Sequence, residues 1–192
     1  MCLAMGLCRK KNCRTPIVTR LLCLFIGLVT LFLVFAASAK MYMYIEAYGL
    51  TRLRVLTEVI MVFMAVTTLT VSLWLFVPRL PYMKIVLVAG LVIGAAVAWA
   101  DVDTVVARYN VDAYQSGKLE TVDMEYMWEL GYGAAPYVAK LIEDPDPKIA
   151  TRAKDILTHH YEYAEIEDFR SWNYAKSTAE PYLPKPETDH PV

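Results

Sequence analysis

The sequence predicts an all-α membrane protein: three transmembrane helices followed by a small helical extramembrane region. Two observations carry this. Leu21 to Ala39 and Val59 to Val77 contain no charged residue, and Leu80 to Ala100 is interrupted only by Lys84. Crossing a bilayer core about 30 Å thick takes roughly 20 apolar residues of helix, so each run is long enough to span. A helix apolar around its whole circumference has no face to turn to water. Composition agrees: 57% of residues are hydrophobic and the mean hydropathy is +0.35, against roughly 45 to 50% apolar in ordinary soluble domains.

The chain divides into four parts: a basic cytoplasmic tail at 1–16, a three-span membrane region at 17–100, a helical extracytoplasmic region at 101–179 and a disordered tail at 180–192. The spans fall at about 17–39, 55–77 and 80–100, with an interfacial segment at 40–54. Arg9, Lys10, Lys11, Arg14 and Arg20 precede the first span. Such a cluster stays on the cytoplasmic side. Counting spans then puts the region after Ala100 outside. Lys40, Arg52 and Arg54 in the first loop run against the rule. A signal peptide ending at Ala37-Ser38-Ala39 is the competing reading of the first run, which is longer than the roughly 7 to 15 residues of a signal core.

The net charge of -1 averages a basic beginning with an acidic second half. Basic residues lie singly or beside a span, without the clustered basic face that nucleic acid requires. Cys2, Cys8, Cys13 and Cys23 lack paired metal-ligand spacing, and neither a metal nor another cofactor is implied.

Residues 40–54, KMYMYIEAYGLTRLR, supply Tyr42, Tyr44 and Tyr48, whose amphipathic rings suit the headgroup layer. Arg54 precedes Glu58 by one helical turn, so the two can pair as the second span enters the membrane. Glu58 lies at the end of the span, where an anchoring ion pair is a better reading than an intramembrane site. In the third span Gly90 and Gly94 have GxxxG spacing among alanines, which marks a helix-packing stripe. Thr67, Thr68, Thr70 and Ser72 of the second span can bond within their helix or to a neighbour.

After the spans, Val102, Val105, Val106 and Tyr109 recur at helical spacing and predict an amphipathic helix ending before Ser116-Gly117. Asp123 offers an N-cap for a helix through Leu130. Pro136 starts a helix through Ile142, and Asp144-Pro145-Asp146-Pro147 breaks it. Asp146, followed by Pro147, opens a long helix to about Tyr161. The pair is HEAT-like, and one such unit must find neighbours to bury its apolar face. Val138, Leu141, Ile142, Ile149, Ala153, Ile156 and Leu157 form the expected core. His159 and His160, about 100 degrees apart on a helix, are surface residues rather than joint ligands.

YIEAYGLTRLRV at 44–55, ARYNVDAY at 107–114 and RSWN at 170–173 together resemble an uncharacterised family of bacterial multipass membrane proteins, domain of unknown function 4173, which is related to number 4153. The resemblance implies a multipass protein of the bacterial cell membrane, with the chain matching the C-terminal portion of a pattern that usually has further spans upstream. It carries no active site across. Arg54, Glu58, Arg108, Tyr109, Asn110, Trp172 and Asn173 are the candidate interface or binding residues, with Arg54, Arg108, Asn110 and the Ser171-Trp172-Asn173 patch expected to gather at the outer membrane surface.

The sequence shows no phosphate-cradling loop, nucleophile elbow or zincin helix. The leading functional expectation is therefore a non-catalytic structural, regulatory or sensor component, partnered by the lipid bilayer and by another membrane protein or a second copy. The alternative is a membrane-interface enzyme or binding protein acting on a lipid headgroup or wall precursor.

Overall fold

The computed structural model describes residues 17–164 and 174–183, and every regular element among them is helical. Three long helices come first: α1 (Ile17–Tyr48), α2 (Arg52–Phe76) and α3 (Tyr82–Trp99). All three are long and apolar enough to cross a membrane. Shorter elements follow: α4 (Val102–Gln115), α5 (Met124–Glu129), a 3-10 turn at Gly131–Ala134, α6 (Ala135–Val138), a second 3-10 turn at Ala139–Leu141, α7 (Pro147–Ala164), α8 (Tyr174–Ala179) and a last 3-10 turn at Glu180–Tyr182.

Helix α1 runs beyond the expected end of the first span. Residues 40–48 were expected as part of an interfacial segment, yet they continue the helix to Tyr48. No Gly or Pro occurs between Ser38 and Tyr48, and Met, Glu and Ala favour helix. Its 32 residues measure about 48 Å at 1.5 Å each, longer than a hydrocarbon core about 30 Å thick. The break comes at Gly49, with φ +77°. Glycine alone takes that conformation without steric cost.

The chain forms two compact units. One contains the residues up to Ile45 together with Leu53–Trp99; the other contains Glu46–Arg52 together with the residues from Ala100 onward. The turn between α1 and α2 thus belongs to the second unit, although in sequence it lies between two membrane helices.

Within the first unit the side chains are mostly exposed, as lipid-facing helices require. Cys23 and Leu75 are buried together, with Leu24 and Trp74 against them, and Trp74 meets Tyr82 at a ring-centroid separation of 4.8 Å. Gly27 is buried, and a Cβ there would lie 2.8 Å from Ser72 Oγ. The missing side chain lets α1 approach α2 closely. The Thr67 and Thr70 hydroxyls donate to carbonyls one turn back in their own helix, Phe63 O at 2.8 Å and Val66 O at 2.7 Å.

The second unit has a true apolar core. Val106, Val111, Met127, Val138, Leu141, Ile156 and Leu157 are all but inaccessible. Of the expected core residues, Val138, Leu141, Ile149, Ala153, Ile156 and Leu157 are buried and Ile142 is half-buried. The caps form as their residue types dictate. Asp101 accepts from Thr104 N–H at 3.3 Å, Asp123 from Tyr126 N–H at 3.0 Å and Asp146 from Lys148 N–H at 2.9 Å, each relieving an orphan donor of a helix start. Asp144 supports the Asp-Pro-Asp-Pro turn by accepting from Asp146 N–H at 2.9 Å and from the Tyr114 hydroxyl at 3.0 Å. Between α5 and α7, His159 stacks on Trp128 at 4.2 Å and Arg152 pairs with Glu125 at 2.5 Å. Of the tail expected to be disordered from Glu180, residues 180–182 form the last 3-10 turn and Leu183 is buried, while the rest of that segment lies outside the described residues. An apolar residue with a core to enter keeps that short stretch in place.

Candidate functional site

Two of the segments that make the sequence recognisable, 44–55 and 107–114, meet at a backbone clasp. Asn110, on α4, is 6% exposed. Its Oδ1 accepts from Leu50 N–H at 2.6 Å and its Nδ2 donates to Leu50 C=O at 2.8 Å. One side-chain amide so satisfies both polar groups of one residue, as a neighbouring strand would. Gly49 makes room for this. A Cβ at that position would lie 2.6 Å from Asn110 Oδ1.

Arg52 closes the other end of the turn. Its backbone N–H donates to the Tyr126 hydroxyl oxygen at 2.7 Å. Its guanidinium pairs with Asp103 through Nε, and Nη2 donates to Glu129 C=O at 3.4 Å. The hydroxyl of Thr104, beside Asp103, bonds Asp101 Oδ2 at 2.7 Å and Gly133 O at 3.2 Å, which ties the start of α4 to the turn before α6. Four stretches of chain converge here: residues 49–52, the α4 face carrying Asp103 and Asn110, α5 with Tyr126, and the 3-10 turn after it.

A groove of about 570 Å³ opens on α4 along the stripe Val105, Arg108, Tyr109, Asp112 and Ser116, with Lys118 at its far end. Arg108 Nε lies 3.6 Å from Asp112 Oδ2, and Lys140 Nζ lies 4.0 Å from Asp112 Oδ1. The Lys140 ammonium also stands 5.1 Å from the centroid of the Tyr137 ring. Val105 and Tyr109 were expected on the apolar face of the helix, yet they are 50% and 36% exposed. The face that enters the core is Val106, Ala107, Asn110, Val111 and Ala113. Apolar residues occupy both sides of α4, so periodicity alone chooses the wrong stripe for Val105 and Tyr109.

Arg54 and Glu58 belong to the membrane-helix unit, both half-buried, and Glu58 accepts from the Ser38 hydroxyl at 3.1 Å. Gly90 faces the Phe63 ring, with 3.4 Å between a built Cβ and the ring, whereas a Cβ built at Gly94 would meet no other described side chain or helix within 4 Å. Trp172 and Asn173 lie outside the described residues. Sequence reasoning missed Gly49, Arg52, Asp103 and Tyr126 at the clasp. The Gly between two helices was the available signal, since a helix-ending glycine often adopts positive φ.

These features define an all-helical protein with three apolar helices of membrane-spanning length, followed by a compact helical unit built around the first inter-helix turn. The chain belongs to the family described as Domain of unknown function (DUF4153), whose model matches residues 1–141. That match covers the membrane helices and both motifs of the clasp, and it sets membership in number 4153; the resemblance to number 4173 adds no second membership. No curated protein and no solved structure matches the chain.

Proposed function

We propose that the protein is a non-catalytic membrane component, structural or regulatory, whose helical unit forms a platform fixed to the turn between its first two membrane helices. The supporting observation is the double hydrogen bond between Asn110 and Leu50. It commits two of the recognisable motifs to holding backbone, with Asn110 buried and both ends of its amide engaged. A catalytic group needs a free functional atom and access to substrate; this amide has neither to offer. The basic N-terminal cluster favours a cytoplasmic N-terminus and an extracytoplasmic platform. Kinship with number 4173, a bacterial setting and a HEAT-like pairing of α6 with α7 are parts of the same proposal.

Crosslinking of the tagged full chain in its native membrane tests this reading. A discrete adduct with another membrane protein or with a second copy is expected, and Asn110→Ala should weaken it while the chain stays in the membrane. A chain that forms no adduct, and that purifies with turnover of a lipid or wall precursor abolished by substituting Arg108 or Tyr109, would replace it with the enzyme reading.

A further inference from the structure

The groove on α4 has chemistry that the clasp does not use. Apart from Lys118, which follows the end of α4, its residues lie along one face of the helix, so their order along the axis is fixed. Val105 comes first, Arg108 lies about 4.5 Å further on, and Asp112 about 6 Å beyond that, at 1.5 Å per residue. The α4 stripe therefore passes from an apolar end, through a cation, to an acid, with Lys140 beside that acid and Lys118 also in the lining. Val105 is half exposed and Tyr109 about a third exposed, which leaves apolar surface beside the charges.

The charges are only loosely paired. Arg108 and Lys140 stand 3.6 and 4.0 Å from the two oxygens of Asp112, whereas a charge-assisted hydrogen bond is about 2.7 to 2.9 Å long. The Arg108 and Asp112 side chains are 70% and 52% exposed, and so exposed an ion pair is weak and easily opened. A zwitterion with its anion toward Arg108 and its cation toward Asp112 would replace that pair with two direct contacts and leave the groove's charge unchanged.

We propose that this groove binds the phosphoethanolamine headgroup of a membrane lipid. The phosphate takes the guanidinium of Arg108, which suits an oxyanion with two parallel donors. The primary ammonium donates to Asp112. The glycerol end of the lipid lies toward Val105 and Tyr109. Chain connectivity favours a lipid over a soluble zwitterion, because α4 begins three residues after Trp99, the end of an apolar helix long enough to span. Trp99 is itself 92% exposed, and tryptophan is the residue type that collects in the headgroup layer. Asp112 sets the choice among headgroups: a quaternary choline has no N–H to donate, and a glycerol headgroup brings no cation.

The test is native mass spectrometry of the full chain released from detergent micelles after titration with phosphatidylethanolamine, phosphatidylcholine or phosphatidylglycerol. Soluble phosphoethanolamine and inorganic phosphate serve as competitors. The wild type should retain phosphatidylethanolamine about tenfold better than phosphatidylcholine, the effect of one hydrogen bond to a charged group. Asp112→Asn should remove that preference without abolishing retention, and Arg108→Gln should lower retention of both lipids about tenfold. Arg108→Ala, checked by circular dichroism, repeats the second arm at the same exposed position. Equal retention of the three lipids by the wild type would overturn the proposal, as would unchanged retention in the Arg108 and Asp112 variants. Displacement of the lipid by millimolar soluble phosphoethanolamine or phosphate would overturn it too, in favour of a soluble ligand.

Discussion

Asn110 holds Leu50 by both its peptide groups, accepting from the N–H at 2.6 Å and donating to the C=O at 2.8 Å. The two are 60 positions apart in the chain, and two helices of membrane-spanning length lie between them. The short turn between α1 and α2 is thereby a structural part of a unit assembled mostly from residues after Ala100.

Removing either side of this contact should be costly. Asn110→Ala leaves Leu50 N–H and C=O without their partner and is expected to destabilise the helical unit by about 2 to 3 kcal/mol. Gly49→Ala places a side chain at φ +77° and against Asn110 Oδ1, for a loss of about 2 kcal/mol or more. Thermal unfolding followed by circular dichroism of the full chain in detergent measures both, and losses under about 0.5 kcal/mol, the range of ordinary surface substitutions, would contradict the clasp.

The ion pair at the other end of the turn should matter less. Arg52 and Asp103 side chains are 45% and 32% exposed, so solvent screens much of their attraction. A double-mutant cycle with Arg52→Ala and Asp103→Ala is expected to give a coupling of about 0.5 to 1 kcal/mol. Asp103→Asn, which keeps the shape, should recover little of it.

Helix packing in the membrane unit separates two glycines of similar appearance. Gly27→Leu drives a side chain into Ser72, where a Cβ alone would approach to 2.8 Å, whereas Gly94 faces open space. Disulfide crosslinking between cysteines introduced on α1 and α2 should therefore fall sharply in Gly27→Leu and stay unchanged in Gly94→Leu. Equal behaviour of the two variants would show that the approach of α1 to α2 does not depend on Gly27.

The Tyr114 phenol is held above its ordinary pKa by burial and by its hydrogen bond to Asp144, with Asp146 adding to the effect. The folded state keeps this proton when the unfolded chain has lost it. Its stabilisation is complete below the ordinary tyrosine value of about 10 and is lost as pH rises from there through the raised folded value. Burial raises the Tyr132 phenol in the same direction. Tyr114→Phe should thus flatten, without abolishing, the fall in melting temperature between about pH 9 and 11, while costing about 1 kcal/mol at neutral pH through the lost bond to Asp144. An identical alkaline profile in the variant would remove Tyr114 from the account.

Sequence and structure agree where one physical signal dominates. Uncharged runs such as Leu21 to Ala39 have no stable home but a membrane, and Asp123, Asp146 and Pro147 announce helix starts by local chemistry alone. The clasp was legible only in part. Asn110 stood out, but nothing local distinguishes Arg52 from Arg54 as the partner of Asp103, because that choice depends on a contact 51 residues away. Likewise, Gly27 has no GxxxG partner to advertise it, and its role follows from the position of Ser72 on another helix. Val105 and Tyr109 fit a core-facing stripe as well as Val106 and Asn110 do, until the rest of the unit decides which side of α4 is covered.

Hydrogen exchange at the Leu50 amide of the full chain in detergent tests the clasp most directly. Leu50 lies in a turn outside α1 and α2, so its protection depends on Asn110 Oδ1. Slow exchange is expected in the wild type, with fast exchange in Asn110→Ala and unchanged protection through the middle of α1 and α2. Fast exchange at Leu50 in the wild type, or protection that survives Asn110→Ala, would contradict the claim that α4 holds the turn between the first two membrane helices.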